Sequence, residues 1–195
     1  SSAVRFEVCD ITDTTAYRAA IGSIAAAHGP VRVLINNAAN DDRHDWRDVT
    51  PEAFDRAAAV NLRHAFFAIQ AVAPAMIDAG GGAIVNLGSI GWMTATAGYP
   101  VYAASKAAAH GLTRAFAREL GQHAIRVNTL VPGWTMTRKQ LDLRVRPQDQ
   151  PVIDASQCLA GRVMPCDVAA MALFLGSSQS RMCSAQNFIV DGGWA

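Results

Sequence analysis

Apolar runs of about five residues alternate along this chain with longer stretches whose apolar positions recur every three or four residues. Runs of the first kind predict buried strands, and stretches of the second kind predict helices. Residues 4–9 predict a strand ending at Asp10, and residues 12–28 a helix stopped by Gly29-Pro30. Residues 31–35 predict a second strand, which runs into Asn36-Asn37-Ala38-Ala39 and a polar loop from Asn40 to His44. Thr50 before Pro51 marks a helix start, with a hydroxyl cap and a proline in the first turn. That helix is expected to reach Ala79, with local irregularity near Asn61 and Pro74. Gly80-Gly81-Gly82 then leads into a strand over residues 83–87, followed by Gly88-Ser89. A helix is predicted from about Tyr102 to Leu120, where Leu112, Phe116 and Leu120 form an apolar stripe that Gly121 should end. Residues 125–131 predict a strand before Pro132-Gly133, and residues 134–164 are less regular. A helix over 165–175 and a strand over 188–190 complete the pattern.

Strands separated by helices make βαβ units, so the expected fold is α/β with a mainly parallel sheet. Nothing resembling an internal repeat or linker divides residues 1–195, and one domain is expected. In such sheets ligands bind beyond the carboxyl ends of the strands. The unusual residues gather at those predicted ends: Asp10, Asn36-Asn37, Ser89 and Pro132-Gly133.

Composition narrows the possibilities. Half of the chain is apolar, 17% is charged, and the formal net charge is +1. No basic footprint for nucleic acid or anionic membrane results; the pair Arg138-Lys139 is expected to cap a helix. No apolar stretch reaches the ~18 residues of a membrane span. The first residues lack the basic start and apolar run of a signal peptide, so a cytoplasmic location is expected. Cys9, Cys158, Cys166 and Cys183 form no Cys-x-x-Cys pair, and the five histidines no His-x-x-x-His pair. Reduced structural thiols and no metal site are expected.

The candidate chemistry lies in Ser89, Tyr102, Lys106 and Asn61. Tyr102 and Lys106 are four apart and share a helix face. A cation beside a phenol favours phenolate and lowers its pKa from about 10, which suits proton exchange with a substrate hydroxyl. Ser89 could bond the same substrate oxygen, and Asn61 could bridge to Lys106 through water. Each residue also has a structural explanation: a half-buried aromatic beside a solvated charge, a turn serine, an ordinary helix asparagine, and Asn36-Asn37 as turn formers. Their joint occurrence at strand ends favours the chemical one.

Together these stretches resemble the short-chain dehydrogenase/reductase family. The resemblance rests on Asn36-Asn37-Ala38-Ala39, Val60-Asn61-Leu62, Ile84 to Ser89, Tyr102-Ala-Ala-Ser-Lys106, Arg126-Val127-Asn128, Pro132-Gly133-Trp134 and Asp191-Gly192-Gly193, and covers essentially the whole chain. It implies a doubly wound, Rossmann-like α/β/α fold with Asn61, Ser89, Tyr102 and Lys106 as a catalytic tetrad and NAD or NADP as cofactor. Asp10 and Ile11 would lie near adenine and Asn37 near the adenosine-side ribose. Lys106 and Tyr102 would lie at the nicotinamide ribose, with Pro132 and Thr135 near the carboxamide. Two positions depart from the family pattern: Ala39 stands where a glycine is usual, and Gly88 where a serine is common. The segment Asn36 to His44, with Gln157-Cys158-Leu159 and Arg181-Met182-Cys183, is similar to bacterial aldose 1-dehydrogenases, which oxidise sugars such as arabinose, galactose, fucose or xylose to lactones. Asn40, Arg43 and His44 then become candidate sugar contacts, with Trp92 and Trp134 able to stack on a sugar face.

The family's phosphate-binding glycine loop should follow a first strand, but the glycine cluster at 80–82 precedes one. By the resemblance, the first two strands of the sheet are absent from these residues. The second of them would carry the NAD-or-NADP choice. A homo-oligomer, dimer or tetramer, is also implied. Two further functions remain open at this point: reduction of another class of ketone, and a non-catalytic scaffold or nucleotide-sensing subunit.

Overall fold

The computed structural model describes residues 4–195. Four strands, β1 (Val33–Asn36), β2 (Gly82–Leu87), β3 (Ile125–Pro132) and β4 (Asn187–Val190), form one sheet in the order β1-β2-β3-β4. Every pairing is parallel, with Val85 opposite Ile35 on one side and Asn128 on the other, and Leu130 opposite Phe188. Successive strands lie side by side in chain order, so all the carboxyl ends open on one edge.

Helices cover both faces. Helix α1 (Thr14–His28) packs on α3 (His64–Asp78), and α3 lies with α4 (Pro100–Leu120) on one face. There Ile69, Val72, Met76 and Ala117 close over Ile84, Ile125 and Val127. Helix α7 (Pro165–Gly176) covers the other face, where Leu175 meets Val85, Leu87 and Leu130. Alternate residues of β2 thus feed two cores, as expected of a parallel strand buried on both sides. The middle strands are apolar for that reason.

Local signals act where the sequence places them. Asp13 caps α1 by accepting from the N–H groups of Thr15 and Ala16. Thr50 caps α2 (Pro51–Ala58). The irregularity expected near Asn61 is a π-helical turn over Ala59–Arg63, which joins α2 to α3. Helix α4 ends at Leu120 as expected, but Gly121 keeps right-handed helical geometry in a short 3-10 turn. The left-handed residue that closes the helix is Ala124.

Two expectations fail. Residues 4–9 form no strand; Val4, Phe6 and Val8 are more than 80% exposed. Their sequence favours extended backbone, but a strand exists only where a neighbour completes its hydrogen bonds. Among the described residues none stands beside this segment, and β1 is a free edge of the sheet. The Arg138-Lys139 pair does not stabilise the end of a helix. It opens α5 (Arg138–Leu143), whose cap is Thr137, and Lys139 bonds across to Asp41. The irregular segment also carries a 3-10 turn over Pro147–Asp149 and α6 (Gln150–Ser156).

Candidate active site

The site starts where β2 ends. Gly88 is fixed there by its N–H bond to Leu130 O at 2.7 Å. A methyl at position 88 would lie 3.0 Å from Thr129 Cγ2, which accounts for glycine in place of the family's serine. Ser89 follows in an extended conformation and accepts from the N–H of Gly91 at 3.1 Å. That bond leaves the hydroxyl proton of Ser89 free to donate.

Helix α4 brings Tyr102 and Lys106 to the same place. Lys106 is 3% exposed, and its Nζ donates to Leu87 O at 2.7 Å. Nζ lies 5.7 Å from the centre of the Tyr102 ring. An ammonium has three donors; only the bond to Leu87 is made, so a buried cation stands with unused hydrogen-bonding capacity. Tyr99 packs edge-on against Tyr102 at 5.2 Å, and the Arg43 guanidinium sits 3.7 Å above the Tyr99 ring. Gly91 leaves room for the Tyr99 hydroxyl, which a side chain there would strike.

Burial dominates the electrostatics. It pushes the Tyr102 phenol up to about 12; Ser89 beside it and the Arg43 charge pull downward, while Asp41 and Tyr99 push up. Burial lowers Lys106 to about 8. The expectation that the cation beside it lowers the phenol is not met in the polypeptide by itself, because desolvation disfavours the charged form of both groups. The Lys106 ammonium is also turned toward the Leu87 carbonyl.

Asn61 lies close by but is fully engaged. Its Oδ1 accepts from the N–H of Asn40 at 2.8 Å, and its Nδ2 donates to Asn40 O and Ala57 O, both at 3.0 Å. The π-helical turn presents Asn61 so that its amide grips the loop after β1. The polar groups of that loop are largely committed too. Arg43 donates to Ala97 O at 2.8 Å, His44 Nδ1 lies 3.1 Å from Asp42 O, and the Asn40 side chain bonds Asp42. His44 Nε2 is buried without a partner. The loop is therefore a braced wall of the crevice.

The remaining candidates lie around this group. Pro132 ends β3, and Thr135 donates to Gly133 O at 3.1 Å. Trp134 is half-buried and donates to Gln140 Oε1 at 3.1 Å. Trp92 is 38% exposed and stacks edge-on against His110 at 5.0 Å. Asn37 is exposed at the end of β1. The Asp10 carboxylate accepts from both the N–H and the hydroxyl of Thr12 at 2.8 Å, with Ile11 half-buried next to it. Asp10 thus closes the turn into α1, and it does not stand at a strand end.

Five participants were given no part in the site by the sequence. Tyr99 and Asp41 border the site, and Gln140 and Lys139 reach it from α5; no motif marks any of them. Buried His64 is another, its ring nitrogens both without a hydrogen-bond partner and its pKa pushed down to about 4 by burial and by Lys106. Its position directly after the irregular turn around Asn61 was the available signal. Among the described residues, no group of three or more His, Cys, Asp or Glu could hold a metal ion, and no helix is long and apolar enough to cross a membrane.

Comparison with known proteins extends this picture. The sequence model of a family described as enoyl-(acyl carrier protein) reductase matches residues 1–195. D-xylose 1-dehydrogenase of Caulobacter vibrioides is 43% identical over 189 residues, covering 97% of this chain and 74% of that protein. A protein of Rhizobium meliloti (strain 1021) named probable galactose dehydrogenase is 41% identical, covering 98% and 75%. Among solved structures, a short-chain type dehydrogenase/reductase from Mycobacterium ulcerans superposes with a TM-score of 0.92 at 27% identity, covering 98% of this chain and 70% of that one. A 7α-hydroxysteroid dehydrogenase complexed with NADH and 7-oxo glycochenodeoxycholic acid gives 0.90 at 33% identity, covering 96% and 72%. About a quarter of each relative thus has no counterpart in these residues. With a full-length family match, relatives above 40% identity and a superposable parallel sheet, the chain belongs to the short-chain dehydrogenase/reductase family of oxidoreductases.

Proposed function

We propose that the protein is an aldose 1-dehydrogenase, which oxidises the C1 hydroxyl of a sugar to a lactone with NAD or NADP. One observation carries the reading: a buried ammonium, Lys106, with donors to spare, stands behind the phenol of Tyr102 at the strand end that bears Ser89. The similarity to a D-xylose 1-dehydrogenase and a probable galactose dehydrogenase supports a sugar as substrate.

The residues present fit a nicotinamide dinucleotide at its ribose. A ribose diol is a natural acceptor for the unused donors of Lys106, and such a buried donor is costly without a partner. Tyr102 and Lys106 would hold that ribose, Asn37 the adenosine side, and Pro132 and Thr135 the carboxamide; Asp10 and Ile11 would border the adenine. When bound, the nicotinamide supplies a hydride acceptor and a positive ring.

The chain's own residues do the rest. Ser89 donates to the C1 oxygen and aims it at Tyr102. Tyr102 takes the C1 hydroxyl proton as hydride leaves the carbon. In the polypeptide alone its pKa of about 12 keeps the phenol protonated at neutral pH. Nearby positive charge, from Lys106 and the cofactor, is what makes tyrosinate accessible. Asn61 positions the wall formed by Asn40, Arg43 and His44.

The test follows nicotinamide reduction at its absorbance band with a panel of aldoses and both cofactors. Turnover of at least one aldose is expected, together with a roughly thousandfold loss in Tyr102→Phe. Near wild-type turnover by that variant would remove Tyr102 from the mechanism. Turnover of apolar ketones but no aldose would reassign the substrate.

A further inference from the structure

Strand order gives one contact a meaning that pairwise geometry hides. The loop after β1 and helix α5, which follows β3, belong to strands that are not neighbours, because β2 lies between them. Where loop and helix meet, they cross the end of β2, which is the end that carries Ser89. They meet chiefly through Asp41, while the more exposed Asp42 lies 3.9 Å from Lys139 and 4.0 Å from Arg144. Lys139 Nζ donates to Asp41 Oδ1 at 2.8 Å and Gln140 Nε2 to its Oδ2 at 2.9 Å, so both carboxylate oxygens are held. Gln140 in turn accepts from Trp134 on the segment leaving β3. On the other side Asn61 grips both backbone groups of Asn40.

This is a chosen contact and not two solvated charges in passing. The Asp41 side chain is only 21% exposed. Burial raises its carboxyl, but the bonds from Lys139 and Gln140 and the lysine charge more than offset that, so it lies below its ordinary value. Its charge is also felt at Tyr102. The carboxylate is therefore near enough to the phenol for its charge to act there.

We propose that Asp41, clasped by Lys139 and Gln140 across the end of β2, is a positioning residue that holds the loop after β1 and helix α5 together as a roof over Ser89 and Tyr102, and so sets how tightly substrate is retained. The proposal rests on Ser89 and Tyr102 being the reacting site. The clasp touches the roof and not the reacting atoms, so it acts on binding more than on the chemical step.

The test compares wild type with Asp41→Ala, Lys139→Ala and the exchanged pair Asp41→Lys with Lys139→Asp. Hydrogen exchange reports on residues 40–44 and 138–143, and kinetics are read with D-xylose at saturating NAD. Asp41→Ala should speed exchange in both segments together. It should also raise KM about three- to tenfold while changing kcat less than about twofold. The exchanged pair should recover part of both effects, which a residue needed only for folding would not do. Faster exchange in one segment alone, an unmoved KM, or no recovery in the exchanged pair would overturn the clasp. An active Tyr102→Phe variant would instead overturn the site, and the exchange data would still judge the clasp.

Discussion

Two buried polar groups share helix α4 in this molecule, and they are built on opposite principles. The first crosses the middle of the sheet. Asn36 donates to Asn86 at 2.8 Å, Asn86 donates to Thr113 on α4 at 3.0 Å, and Thr129 donates to Thr113 at 2.8 Å. This chain ties β1, β2 and β3 to α4, and only Asn36 Oδ1 ends without a partner. The second group is Lys106, Tyr102 and His64. There a buried ammonium makes one bond, a phenol is held far above its ordinary pKa, and an imidazole has none. Saturated polar groups specify and stiffen a core, whereas unsatisfied ones cost stability and are retained where something else will bind. The contrast separates the scaffold from the candidate site without reference to any relative.

Substitutions can break or sharpen that contrast. The largest effect should be on turnover: Tyr102→Phe loses about a thousandfold, or ~4 kcal/mol of barrier, with little change in melting temperature. Asn86→Leu should do the reverse. It strands the Asn36 amide and removes one of the two donors to Thr113, and should cost about 3 kcal/mol in denaturant unfolding; a loss below ~1 kcal/mol would show that the saturated chain is not structural. His64 comes next. Its pKa is about 4 in the fold and 6.5 unfolded, so the unfolded chain binds more protons between those values. The neutral imidazole's contribution is therefore complete above pH 6.5 and is lost as pH falls toward 4, by about 3 kcal/mol in unfolding free energy. His64→Leu should flatten that slope, and an unchanged slope would assign it to other groups. The smallest effect carries the sharpest sign. Lys106→Met removes a buried cation and should raise the melting temperature by about 2–6 °C even as turnover falls. A lower melting temperature would place Lys106 with the scaffold instead.

The same two groups differ in how visible they are in the sequence. Tyr102 and Lys106 are four apart on one helix, and Ser89 directly follows an apolar strand, so their convergence needs only local periodicity and the rule that ligands bind at the carboxyl ends of parallel strands. The π-helical turn at Asn61 was visible as a broken pattern. The consequence of burial was not: spacing suggests a lowered phenol, and only the packed surroundings show desolvation pushing it the other way. Residues 4–9 show the converse failure. Their alternating apolar side chains favour extended backbone, yet strand formation depends on a neighbour that the local sequence cannot supply.

What the sequence by itself determined was every feature that short-range geometry controls. These include the helix start at Thr50, the end of α4, the burial of β2, and the candidate reacting groups at its end. Strand order and packing decided the rest. Asp41 meets Lys139 and Gln140 across nearly a hundred residues, and Asn86 meets partners on two other elements. Such pairs carry no periodic signature, because the distance between them is set by how β1, β2 and β3 lie side by side and not by spacing along the chain.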